Sequence, residues 1–242
     1  MWAQQNRLIY PASRETVPLS PGFSETALQT EDGLALRAFY RPPDGSRPTI
    51  VYFHGNGGSL YGATLETDAF VSAGYGVLLV EYRGYGGNSG QPEEQGLYRD
   101  GRAAMAFLAQ SGSVSPADTV VVGNSLGSGI AIQMAREFPV RAVVLSAPFT
   151  SLQDVGASKM RWLPVRWLMR DHFDNLTKIA KIDQPVLVLH GTVDTLIPVN
   201  HGQRLAKAAP LATFMPFNGL GHDISFSRQA QAAIIEWLDR LN

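Results

Sequence analysis

The sequence predicts an α/β fold: a mostly parallel central sheet of about eight strands with an antiparallel start, helices on both faces and a small lid. Apolar runs at 49–53, 77–81, 119–122, 142–146, 185–190 and 212–216 are short, rich in β-branched or aromatic residues and mostly free of charge. That is the pattern of parallel strands covered on both faces. Between these runs apolar residues recur at helical spacing. Ahead of them, a turn containing Asp32-Gly33 separates two strand-like stretches, 24–30 and 34–40, a strong signal for an antiparallel hairpin.

In chain order, residues 1–23 carry Pro11, Pro18 and Pro21 and read as an extended arm lying on the body of a single domain, 1–242. After the hairpin, Arg41-Pro42-Pro43-Asp44-Gly45 stops the second strand. Leu97, Gly101, Ala104 and Leu108 form one helical stripe after Pro92-Glu93-Glu94, whose proline and acids suit a first turn. Ile130, Met134 and Phe138 form another, ending before Pro139. Ala230, Ile234, Trp237, Leu238 and Leu241 mark a docked C-terminal helix. Regular alternation breaks only at 150–174, where Met160, Trp162, Leu163, Trp167, Leu168 and Met169 suggest a small lid or a covering helix broken at Pro164.

A chain of 242 residues can bury one sizeable core. Its composition is 45% hydrophobic and 17% charged, with a formal net charge of −1 and no basic block, so nucleic-acid binding is not expected. The absence of cysteine excludes disulfides, thiolate metal sites and a cysteine nucleophile. No His, Asp or Glu cluster has metal-ligand spacing, and neither metal nor cofactor is expected. No run reaches the roughly 18 apolar residues of a transmembrane helix, and the first residues lack a signal-peptide core. The chain as given reads as soluble.

Gly123-Asn124-Ser125-Leu126-Gly127 follows the β-branched run and leads into a helical pattern. Strand, G-x-S-x-G and helix in that order describe a turn that lifts a serine hydroxyl above the sheet edge. The plainer alternative is a Gly-rich turn with Ser125 capping the helix. A serine nucleophile needs a base in hydrogen-bond reach, usually a histidine oriented by a carboxylate. Of five histidines, His222 alone stands after the last strand on a glycine-bearing loop, Asn218-Gly219-Leu220-Gly221-His222. His201 begins a surface helix, His172 lies in the lid segment, His190 ends a strand and reads as structural, and His54 belongs to a separate loop. The acid should follow the penultimate strand, which selects Asp194 in His190-Gly191-Thr192-Val193-Asp194, although turns also favour aspartate. Asp171, Asp174 and Asp183 come too early, and Asp223 is too close to His222.

A developing oxyanion needs two pre-aimed amides. Leu126, at the start of the elbow helix, supplies one. The glycine-rich loop His54-Gly55-Asn56-Gly57-Gly58 supplies the other, from Asn56, with Gly57 as the near alternative. His54 braces that loop. No Lys-Ser/Thr follows, so the loop is not a phosphate cradle. A second glycine cluster, 83–90, reads as tight turning.

With these motifs in place, the sequence resembles the α/β-hydrolase superfamily from about 49 to 241. Tyr52-Phe53-His54-Gly55-Asn56-Gly57-Gly58, Glu81-Tyr82-Arg83-Gly84-Tyr85-Gly86-Gly87-Asn88-Ser89-Gly90 and Leu163-Pro164-Val165-Arg166-Trp167-Leu168 are similar to a subgroup of small hydrolases with minimal caps. Its eukaryotic members include membrane-tethered protein depalmitoylases and lysophospholipid hydrolases. The resemblance implies Ser125 as nucleophile, Asp194 as acid, His222 as base, and Asn56 and Leu126 as oxyanion donors. Many members carry an N-terminal anchor leading into a segment similar to Asn6-Arg7-Leu8-Ile9-Tyr10-Pro11, which implies a trimmed or lost anchor and association with a membrane surface. The cysteine cluster that targets depalmitoylases is absent.

The expected activity is hydrolysis of carboxylic esters or thioesters of a small or lipid-like acyl group through an acyl-enzyme. Leu60, Tyr61, Phe149, Trp162, Leu163, Trp167, Leu196 and Ile197 are the expected acyl-contacting residues, with core packing the alternative for the aromatics. A peptidase or amidase, a non-catalytic ligand-binding protein of the same fold, and a partner-facing lid are the competing expectations.

Overall fold

Three consecutive valines show how the sheet is filled. Val121 faces one apolar layer, Val120 and Val122 face the other, and all three are buried. Val51 and Phe53 divide from Ile50 and Tyr52 in the same way. Side chains alternate faces along a strand, so an uninterrupted apolar run requires helices on both sides. The computed structural model describes residues 9–110, 114–159 and 169–241.

The strands are β1 (Ser24–Gln29), β2 (Ala35–Arg41), β3 (Thr49–Phe53), β4 (Gly76–Val80), β5 (Thr119–Asn124), β6 (Ala142–Ser146), β7 (Val186–Gly191) and β8 (Ala212–Phe217). They form one eight-stranded sheet in the order β1-β2-β4-β3-β5-β6-β7-β8. The pairs β1·β2 and β2·β4 are antiparallel, and the remaining pairs are parallel. The hairpin turn closes through Thr30 N to Leu34 O at 2.9 Å, with Gly33 at a φ of 84°. Each expected strand is present, with ends shifted by at most a residue or two. One departs in character: β8 is an edge strand, with Thr213 and Pro216 exposed, because among the described residues no further strand pairs with it.

The helices are α1 (Leu60–Ser72), α2 (Glu94–Gln110), α3 (Leu126–Glu137), α4 (Leu152–Lys159), α5 (Asn175–Ile179), α6 (Asn200–Ala208) and α7 (Arg228–Asp239). Leu97, Ile130, Ile179 and Leu205 place α2, α3, α5 and α6 on one face. Leu60, Phe70, Ile234 and Trp237 place α1 and α7 on the other. Helix α1 has no clean apolar stripe to read. Its buried face includes Glu66 and Thr67, while Tyr61 and Leu65 are exposed.

The parallel strands end on one edge, so the loops after β3, β5, β7 and β8 converge there, the usual position for a site in an open α/β sheet. The described part of the arm is tied to the body near that edge. Gly86 N donates to Ser13 O at 2.9 Å, and the Tyr10 hydroxyl donates to Asp171 at 2.6 Å. In the lid segment, the described ends meet where Leu152 N donates to His172 O at 2.8 Å. Trp162, Leu163, Pro164 and Trp167 lie outside the described residues.

Candidate active site

Ser125 stands between β5 and α3 with φ 49° and ψ −114°. For a residue with a Cβ this conformation costs about 1–3 kcal/mol, and it persists where the surroundings fix it. The fixing contacts are Ser125 N to Ser146 O at 2.9 Å, and Ser128 N and Oγ to Ser125 O at 3.0 and 2.6 Å. Glycine is needed at 127 because a Cβ there would collide with the Phe53 carbonyl of the neighbouring strand. The Ser125 side chain makes no capping bond to its helix, which removes the plain-cap alternative and leaves the hydroxyl for another partner.

That partner is His222. Its Nε2 lies 3.0 Å from Ser125 Oγ, and its Nδ1 lies 2.8 Å from Asp194 Oδ2. An ionised carboxylate only accepts, so Nδ1 carries the proton and the Nε2 lone pair faces the hydroxyl. Asp194 is locked in turn. Its Oδ1 accepts from the amides of Leu196 and Ile197, both at 2.8 Å. His190 Nε2 donates to Ile197 O at 2.8 Å and lies 3.4 Å from Asp194 Oδ2. Burial alone would lift the Asp194 carboxyl, but the hydrogen bonds from His190, His222 and the Ile197 amide outweigh it. The group is held well below the usual carboxylate range. His190 is thus structural, as expected, and also touches the acid.

The loop after β3 is braced from inside. His54 is fully buried, with Nδ1 donating to Gly55 O at 2.8 Å and Nε2 to Glu81 Oε1 at 2.9 Å. Both partners accept, which calls for a doubly protonated ring. Burial disfavours that form, yet the Glu81 carboxylate prevails and the His54 pKa is raised. Glu81 also accepts from the Leu60 amide at 3.1 Å, joining the loop to the start of α1. The Asn56 side chain accepts from the Tyr85 hydroxyl at 2.7 Å and donates to Ile9 O of the arm. The Asn56 and Leu126 amides have no protein acceptor among the described residues. In the second glycine cluster, Gly84, Gly86, Gly87 and Gly90 all have positive φ, in keeping with tight turning.

The acyl-contact expectations divide. Tyr61 and Leu196 are 55% and 48% exposed. Leu60 is instead fully buried in the core between sheet and helices, and offers no surface to a substrate. Neighbours on a helix point about 100° apart, so Tyr61 faces out while Leu60 faces in. Phe149 and Ile197 are also buried, Phe149 with its ring centroid 6.1 Å from that of Phe173. The sequence did not signal Val193, Leu65 or Phe226, which are exposed on the same loops and on α1. His201 does begin a helix, but it is buried against the Thr150 hydroxyl, Nδ1 to Oγ1 at 2.8 Å. Glu66 and Ser225 were also missed. Their partners are distant in sequence and no local motif marks them. Among the described residues no group of three or more His, Asp or Glu side chains is arranged to hold a metal ion.

An eight-stranded sheet of this order, with a serine elbow between β5 and its helix, defines the α/β-hydrolase class. A family model described as "Serine aminopeptidase, S33" matches residues 44–177. An uncharacterized protein of Mycobacterium tuberculosis is 40% identical over 230 residues, covering 92% of this chain and 82% of that protein. The alpha/beta hydrolase domain-containing protein WAV2 of Arabidopsis thaliana is 30% identical over 246 residues, covering 89% and 80%. Among solved structures, the esterase Pf2001 of Pyrococcus furiosus is similar with a TM-score of 0.79 at 20% identity, covering 96% of this chain and 99% of that one. This chain belongs to the α/β-hydrolase superfamily, in the family described by the matching model, and is a hydrolase.

Proposed function

We propose that this hydrolase cleaves carboxylic esters or thioesters through an acyl-enzyme on Ser125. The observation that carries the reading is the hydrogen-bonded chain from Ser125 Oγ through His222 to Asp194. His222 Nε2 takes the hydroxyl proton as Oγ attacks the acyl carbon, and Asp194 stabilises the imidazolium. The Asn56 and Leu126 amides bind the oxyanion, and the N-terminal end of α3 adds a favourable dipole. Collapse expels the alcohol or thiol, protonated by His222. Water then attacks the acyl-enzyme with His222 again as base, releasing acid and restoring Ser125. No metal or cofactor enters this scheme.

The apolar rim supports an acyl substrate. Tyr61 and Leu65 follow the Asn56 loop, Val193 and Leu196 flank Asp194, and Phe226 follows His222, all of them exposed. Exposed apolar side chains on the loops that carry the site are what an acyl chain needs to leave water. Association with a membrane surface fits the same side chains. The test is hydrolysis of a p-nitrophenyl ester and acyl-thioester series from acetyl to palmitoyl, by wild type and Ser125→Ala. Turnover by wild type alone is expected, and full activity in the folded variant overturns the reading. Amide hydrolysis is the second reading, favoured by the family model's description. Aminoacyl p-nitroanilides assayed in parallel decide it, since this account expects esters to be turned over far faster.

A further inference from the structure

Glu66 is an acid on the buried face of α1, 5% exposed, that the proposed chemistry does not use. Its Oε1 accepts from Asn124 Nδ2 at 2.8 Å and from Ser225 Oγ at 2.5 Å. Asn124 Nδ2 also reaches Ser225 Oγ at 2.9 Å, closing a triangle. Each corner belongs to a different part of the site. Asn124 ends β5 and immediately precedes Ser125. Ser225 lies in the short turn Ile224–Phe226 just beyond His222. Glu66 is on α1, whose first amide is held by the Glu81 carboxylate that also holds His54. Gln231 of α7 fastens the outer side, donating to Ser225 O at 2.9 Å and Leu65 O at 3.3 Å. Gly55, next to the proposed oxyanion donor, packs so closely that an added Cβ would lie 3.4 Å from both Asn124 Nδ2 and Ser125 Cβ.

We infer that Glu66 is a positioning residue for the reaction: it ties the Ser125 elbow to the His222 loop and so sets the Ser125–His222 distance from beneath. The inference rests on the serine-hydrolase reading above. Packing alone does not account for an acid here, since α1 already presents Leu60, Ala63 and Phe70 to the core, and burying a carboxyl costs free energy. What the carboxyl adds is one oxygen that accepts from two catalytic loops at once. Burial raises its pKa above the ordinary carboxylate value, against the hydrogen bonds from Ser225 and Asn124 and the nearby His54, while the Tyr52 hydroxyl faces the same carboxyl. Glutamine is therefore a close stand-in, because its carbonyl can accept the same two bonds.

The test compares wild type, Glu66→Gln, Glu66→Leu, Ser225→Ala and Ser125→Ala on one short p-nitrophenyl ester, with thermal unfolding to establish folding. Glu66→Leu should lose about ten- to a hundredfold in kcat with KM within about twofold, the signature of misplaced reacting groups. Glu66→Gln should recover to within about threefold of wild type. Ser225→Ala, which barely changes volume, should lose about three- to tenfold in kcat and serves as the decisive variant if Glu66→Leu does not fold. Wild-type kcat in folded Glu66→Leu or Ser225→Ala, a loss confined to KM, or no recovery with glutamine overturns the inference while leaving the Ser125 reading intact. Retained hydrolysis by Ser125→Ala overturns that reading and the inference with it.

Discussion

Tyr85→Phe removes one oxygen and leaves the ring. In the folded chain that hydroxyl donates to Asn56 Oδ1 at 2.7 Å, while the ring packs 5.5 Å from both His54 and Tyr82, centroid to centroid. Phenylalanine keeps the packing and removes the bond that holds the Asn56 side chain. Losing a hydrogen bond made to the exposed Asn56 side chain costs about 0.5–1.5 kcal/mol, which is about 2- to 12-fold in an equilibrium or rate constant. Part of that cost falls on stability. The rest falls on turnover if the Asn56 amide must be aimed at the transition state, with the loss of a whole oxyanion donor, about 10²–10³, as the ceiling. The expected outcome is a kcat lower by about two- to tenfold with KM within about threefold, because the amide binds the developing oxyanion more strongly than the ground-state carbonyl. Steady-state hydrolysis of a short p-nitrophenyl ester, beside urea unfolding of both proteins, separates the two effects. A variant less stable than wild type yet equal to it in kcat would refute the reasoning that Tyr85 aims this loop.

Asp194→Asn should lower kcat by about 10³–10⁴ by removing the group that orients and charges against His222. The same variant carries a stability signature. Asp194 has a folded pKa below its unfolded value of about 3.9, so the unfolded chain binds more protons and stability rises with pH through that window. Wild type should exceed the variant in stability above about pH 4, with the gap narrowing as pH falls below it; a gap constant from neutral pH into the acid range would contradict this. Gly127→Ala should destabilise by about 1–3 kcal/mol or more in urea unfolding, since its Cβ has no room beside the Phe53 carbonyl. Leu196→Ser combined with Tyr61→Ser should cut kcat/KM about thirtyfold for long acyl esters and little for acetyl esters, each exposed side chain contributing about a kilocalorie of apolar contact. Equal losses on both substrates would remove these residues from the acyl path.

The parallel strands were legible because a strand covered on both faces leaves a run of apolar residues with no polar interruption, as at Val120, Val121 and Val122. The helices of the other layer were legible because Leu97, Gly101, Ala104 and Leu108 all face inward. Helix α1 was not, since its buried face mixes Glu66 and Thr67 with Leu60, Ala63 and Phe70, while Tyr61 and Leu65 are exposed. Ser125, Asp194 and His222 could be picked out because each sits on a loop after a recognisable strand, and the structure brings the three into one hydrogen-bonded chain. The supporting groups could not. Glu66 meets Ser225, Tyr85 meets Asn56 and Tyr10 meets Asp171 only after the chain has folded, and a lone acid or tyrosine carries no local spacing that announces its partner.

The central claim is that Ser125 is a nucleophile activated by His222. Treating the folded protein with a fluorophosphonate and mapping the adduct by peptide mass spectrometry tests it most directly. The account predicts one adduct, on Ser125, that is absent in Ser125→Ala and strongly slowed in His222→Ala. Labelling elsewhere, or none on a folded protein that turns over esters, would contradict it.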